Sequence, residues 1–93
     1  MGLEYNQDGY INKMKNRIFS CLCAREEGKD WEAGLDNILI ELQGIPEKQR
    51  GISYYIIYYK LSSCRFLEFS YFRKTIFDCI NCLNFLLGDH NGI

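Results

Sequence analysis

Five cysteines come nearest, by type and spacing, to a chemical site: Cys21, Cys23, Cys64, Cys79 and Cys82. Cys21-x-Cys23 and Cys79-x-x-Cys82 together supply four thiols, the number that a structural zinc ion takes in tetrahedral geometry. On a helix Cys79 and Cys82 share a face, but Cys21 and Cys23, two residues apart, point about 200° from one another. Two of the four would have to unwind a helix to ligate. The sequence therefore predicts no metal and no cofactor, with free, mostly buried thiols in a reducing compartment. Cys79-x-x-Cys82 also lacks the preceding strand that frames a redox pair.

Other catalytic chemistry is thinner. The chain has one histidine, His90. A Cys–His nucleophile pair needs both groups held in contact, and nothing in the tail fixes His90. The glycines are scattered at the ends of apolar segments, so no loop cradles a phosphate. Carboxylates on a solvated ridge do not acquire the separated pKa values that acid–base catalysis needs. The expectation is that the protein is not an enzyme.

The acids are nevertheless bunched. Between positions 26 and 47 lie Glu26, Glu27, Asp30, Glu32, Asp36, Glu41 and Glu47 against Lys29 alone. Seven acids and one base leave this stretch at −6, in a chain whose total is −1. The bases flank it: Lys13, Lys15, Arg17 and Arg25 before, and Lys48, Arg50, Lys60, Arg65, Arg73 and Lys74 after. A charge run is by default a solvated helix face. This one has aromatic company in Trp31, Tyr54 and Tyr58, residue types that anchor interfaces. An acidic rim speeds capture of a basic partner and aromatics hold it. The candidate partner-binding set is Glu26, Glu27, Asp30, Trp31, Glu32, Asp36, Tyr54 and Tyr58.

Tyrosines interleaved with Arg50, Lys60, Arg65, Arg73 and Lys74 also suit base stacking on single-stranded nucleic acid. A sequence pI near 5.8 and the lack of a helix-turn-helix pattern oppose that partner. Tyrosines also commonly pack their rings in a core while the hydroxyl reaches water.

The elements that must position these residues are helical throughout. Ile11, Met14, Ile18, Cys21 and Leu22 make one stripe, so a first helix is expected over about 8–27, capped by Asp8 and stopped by Gly28. A second is expected over 30–43, with Asp30 as N-cap, Leu35, Ile38, Leu39 and Leu42 inward, and Gly44 as its end. The acids then fall on its outer side. Pro46 opens a third helix over 46–61. Its Ile52-to-Leu61 run has strand propensity, but a lone strand would leave its backbone unsatisfied. As a helix it has two apolar faces, Ile52/Tyr55/Ile56/Tyr59 and Tyr54/Ile57/Tyr58/Leu61. A fourth is expected over 64–87, either capped at Ser62 or Ser63 after a weak break or continuing the third with a bend; it carries Phe69, Phe72, Ile76, Ile80, Leu83 and Leu87. Short connections make these an all-α antiparallel four-helix bundle forming one domain over 1–93.

The N-terminus lacks a basic region followed by an apolar one, which predicts a cytoplasmic protein. The longest uncharged stretches, 51–59 and 79–88, are too short to span a bilayer.

A short, acidic-faced helical chain without catalytic residues resembles bacterial immunity proteins, the inhibitors made beside toxins of contact-dependent growth inhibition or bacteriocin competition. The resemblance rests on Asp30-Trp31-Glu32, Gly44-Ile45-Pro46-Glu47 and Tyr71-Phe72-Arg73-Lys74-Thr75-Ile76-Phe77-Asp78-Cys79. It implies a tight one-to-one complex with a toxin domain that has a basic surface, often a nuclease. Two alternatives stay open. One is a homo-oligomer joined through Tyr54, Ile57, Tyr58 and Leu61; the other is a small nucleic-acid-binding regulator.

Overall fold

The computed structural model describes residues 7–85, which form four α-helices and two short 3-10 turns. The helices are α1 (Gln7–Glu26), α2 (Glu32–Gln43), α3 (Ile52–Cys64) and α4 (Phe69–Cys82). Each packs closely on two others: α1 on α2 and α4, and α3 on α2 and α4. Side-chain pairings set the directions. Arg17 meets Glu41 and Cys21 lies under Gly34, so α1 and α2 are antiparallel. Gln43 meets Tyr58 and Asp36 meets Arg65, so α2 and α3 are too. Phe19 meets Phe77 and Arg25 meets Phe72, which closes the square between α1 and α4. This is the all-α four-helix arrangement that the periodicity predicts.

The core follows the expected stripes. Ile11, Met14, Ile18, Cys21 and Leu22 are all buried, as are Leu35, Ile38 and Leu42, with Leu39 packed against them. Phe72, Ile76, Cys79 and Leu83 line α4 inward. Each such Leu, Ile or Phe contributes about 1.5–3 kcal/mol by leaving water.

Helix ends correct several expectations. α1 already begins at Gln7, which places Asp8 within its first turn rather than at its cap. It ends at Gly28, whose φ of +76° is a left-handed conformation that favours glycine. α2 starts at Glu32, yet the Asp30 carboxylate caps it, accepting from the backbone N–H of Glu32 at 3.1 Å and of Ala33 at 3.4 Å. Pro46 does not open α3. It precedes a 3-10 turn, Glu47–Gln49, after which the chain is extended at Arg50 and Gly51. A helix from Pro46 would need Gly51 in its interior, at a cost of about 1 kcal/mol. Arg50 instead ties the connection by donating to the carbonyls of Ile45 and Gln43, both at 2.9 Å.

Ser62 and Ser63 do not break α3 either. Their hydroxyls donate back to the carbonyls of Tyr58 at 2.7 Å and Tyr59 at 3.1 Å, and the helix continues to Cys64. The break falls at 65–68, and α4 starts at Phe69. Leu87, Gly88 and His90 lie outside the described residues.

Candidate protein-interaction site

The turn between α1 and α2 gathers most of the predicted acids. Glu26 and Glu27 end α1, Asp30 caps α2, and Glu32 and Asp36 sit on the first turns of α2; all five are exposed. Helix geometry explains this: with Leu35, Ile38 and Leu42 inward, positions 32 and 36 fall on the flank of α2, about 90–130° around the helix from the buried stripe.

Their charge is partly answered in space. Glu27 pairs with Lys29 at 3.0 Å. Asp36 accepts from Arg65 at the end of α3, and Glu41 accepts from Arg17 on α1. The Asp36 hydrogen bond raises the Arg65 pKa further, and Glu32 adds to that field. Among the described residues Glu26 and Glu32 make no ion pair, and Asp30 uses its carboxylate on the helix cap. The −6 counted along the chain is thus a smaller, sharper negative patch on the surface.

Trp31 is half-buried at the edge of this patch. Its ring meets Phe72 edge-on at 5.0 Å, and the Arg25 guanidinium lies 4.8 Å from the Trp31 centroid and 4.5 Å from that of Phe72. Arg25 also donates to the Leu67 carbonyl at 2.8 Å. These contacts fix the indole so that one part packs inward and the rest lines a groove of about 300 Å³ between α1 and α2. Asp30, Arg17, Asn37 and Gly34 share that groove, with Cys21 at its floor.

Tyr54 and Tyr58 lie elsewhere. Tyr54 is only 3% exposed, a core residue rather than a contact for a partner. Burial pushes its phenol pKa up, and the Arg50 guanidinium, 4.6 Å from the ring centroid, partly offsets this. Tyr58 stacks on Tyr54 at 5.9 Å, and its hydroxyl accepts from Gln43 at 2.6 Å. Both line a second groove, of about 450 Å³, with Gln43, Arg50, Tyr55 and Tyr59. Gln43 is about two turns of α2 from Asp36, so the tyrosines do not flank the acids.

The face assignment on α3 is inverted relative to the open alternative above. Tyr54, Ile57 and Leu61 point into the core with Tyr58 packed against it, so they cannot form a seam with another molecule. The face left outside is Ile52, Tyr55, Ile56 and Tyr59. Its spacing was visible in the sequence; its orientation was not. Arg17, Arg25 and Arg65 were visible in the sequence only as flanking bases; their pairings with Glu41, Phe72 and Asp36 span distant parts of the chain.

Three buried thiols are chemically quiet. Burial pushes Cys64 up to about 11 and Cys79 up to about 12, and it raises Cys21 as well. Thiols so held stay protonated and are poor nucleophiles and ligands. Among the described residues no group of three or more His, Cys, Asp or Glu is placed to hold a metal ion. No helix of the described residues is long and apolar enough to cross a membrane.

Compared with protein-family models, curated proteins and solved structures, the chain matches none.

Proposed function

We infer that the protein is a non-catalytic cytoplasmic inhibitor of the immunity type, which captures a toxin domain through the acidic turn between α1 and α2. One observation carries this reading: Glu26, Glu27, Asp30, Glu32 and Asp36 are all exposed on one edge beside a groove walled by Trp31. Acids placed this way steer a basic surface into encounter, and that contribution weakens with salt. The groove then accepts a side chain of the partner next to a pre-positioned indole, which costs little ordering entropy. Inhibition needs no chemistry from the bundle, only occupancy of the toxin's active site or of the surface beside it.

Protection tests the reading. The reading frame beside this chain's gene is expected to encode a toxin domain, and co-expression of this chain with that domain restores growth. The Glu26→Lys/Glu32→Lys variant, altered at two carboxylates without ion pairs, loses protection and binds more slowly, with a shallower salt dependence, while keeping its helical spectrum. Full protection by that variant, or growth arrest despite the wild-type chain, contradicts the proposal.

A further inference from the structure

The outside of α3 carries an unbroken apolar stripe. Ile52, Tyr55, Ile56 and Tyr59 recur at i, i+3, i+4 and i+7, the spacing of one helix face. They are 79%, 50%, 39% and 77% exposed, and Phe66, in the turn after α3, is 82% exposed. No charged residue lies between Ile52 and Tyr59 on this face; Lys60 borders it, with its ammonium 3.9 Å from Asp78 of α4. Weighted by these exposures, the four stripe residues present on the order of 500 Å². The largest apolar patch on a typical monomer is about 300–600 Å². One side of a standard stable interface is about 800 Å².

We propose that this stripe is the seam of a two-fold dimer, in which α3 packs antiparallel on α3 of a second copy. The order of side chains selects that occupant. Along the helix the stripe runs Ile-Tyr-Ile-Tyr, and reversed it runs Tyr-Ile-Tyr-Ile. An antiparallel alignment about a two-fold axis between Tyr55 and Ile56 therefore sets each isoleucine against a tyrosine: Ile52 against position 59, and Tyr55 against position 56. An isologous interface requires a patch complementary to its own reverse, and this one is. Its neutrality removes the repulsion that two copies of a charged face would meet.

The seam uses none of Glu26, Asp30, Trp31 or Glu32, so it goes beyond the inhibitor reading and stands or falls separately. A dimer built this way presents two acidic edges and binds two toxin domains.

Sedimentation equilibrium of the full chain under reducing conditions tests it, from about 1 to about 200 µM. The expected result is a species of twice the 11.0 kDa chain mass. Tyr59→Glu and, separately, Ile52→Glu raise the dimer dissociation constant by about 100-fold or more with the helical spectrum unchanged, since both side chains are exposed. Ile40→Glu, exposed but off the stripe, leaves the dimer intact. A wild-type chain that stays at one chain mass overturns the proposal and leaves the stripe to a different protein. A dimer indifferent to both stripe variants, or assembly that grows past two copies, overturns it as well.

Discussion

Arg65, at the end of α3, donates to the Asp36 carboxylate on α2, twenty-nine residues away in sequence. The pair joins the most acidic part of the chain to its basic second half across a helix seam. Arg17 does the same for Glu41 from the other side, across twenty-four residues. Charge segregated along the sequence is thereby interleaved in space, and the edge left negative is the turn at Glu26 to Glu32.

The Asp36–Arg65 pair is modest in energy. Asp36 is more than half exposed and Arg65 about a quarter exposed, so water screens the interaction. A double-mutant cycle with Asp36→Ala and Arg65→Ala is expected to give a coupling of about 0.5 kcal/mol, falling with added salt. A coupling above about 2 kcal/mol, insensitive to salt, contradicts the screened pair described here.

Gly34 is a position where the chain gains by substitution. It is the interior glycine of α2, and a Cβ built there meets only the Cys21 sulfur, at an ordinary 3.5 Å. Gly34→Ala is expected to stabilise the fold by about 0.5–1 kcal/mol through helix propensity and a less free unfolded chain. The denaturant midpoint reads this directly, and a lowered midpoint shows that α1 and α2 cannot share the added methyl.

Arg25 acts as a structural cation. It is held between Trp31 and Phe72 and donates to Leu67. Arg25→Met keeps much of the stem but loses the charge over two rings and the carbonyl bond, at an expected cost of about 1–3 kcal/mol. Trp31 fluorescence is expected to change in that variant, because the guanidinium no longer lies beside the indole. An unchanged midpoint with an unchanged spectrum sinks the assignment.

The buried thiols predict a base-sensitive fold. Folding holds Cys64 up to about 11 and Cys79 up to about 12, from an ordinary value of 9.0. Their folded pKa is raised, so the contribution is fully present below pH 9. It is lost as pH rises towards 11 and 12, where the unfolded chain gives up protons that the folded chain keeps. Tyr54, raised from 10.0 by burial, acts in the same direction. The unfolding midpoint is expected to fall from pH 9 upward, and less steeply in a Cys64→Ala/Cys79→Ala variant. Equal slopes would remove the thiols as the cause.

Much of the bundle was legible from spacing. Ile11 to Leu22 and Leu35 to Leu42 each have one apolar side, so periodicity alone says which way they face. α3 has two, and nothing local distinguishes Tyr54/Ile57/Leu61 from Ile52/Tyr55/Ile56/Tyr59; the neighbouring α2 and α4 decide. Pro46 failed as a helix start because Gly51 follows five residues later and takes the extended cap position itself. Ser62 and Ser63 misled because the same hydroxyl that caps a new helix can bond back to the carbonyl one turn earlier. The acidic edge was legible as composition, but its neutralisation by Arg17 and Arg65 depends on tertiary pairing that no local count contains.

The square arrangement of helices also sets an order of assembly. Three of its four seams join helices consecutive in sequence, and each can form at low loop-closure cost. Only the seam between α1 and α4 joins the two ends of the chain, with Arg25 on Phe72 at one end and Phe19 on Phe77 further along it. The entropy of bringing distant segments together is concentrated there, so that seam sets how fast the bundle folds, while the others chiefly set how long it stays folded.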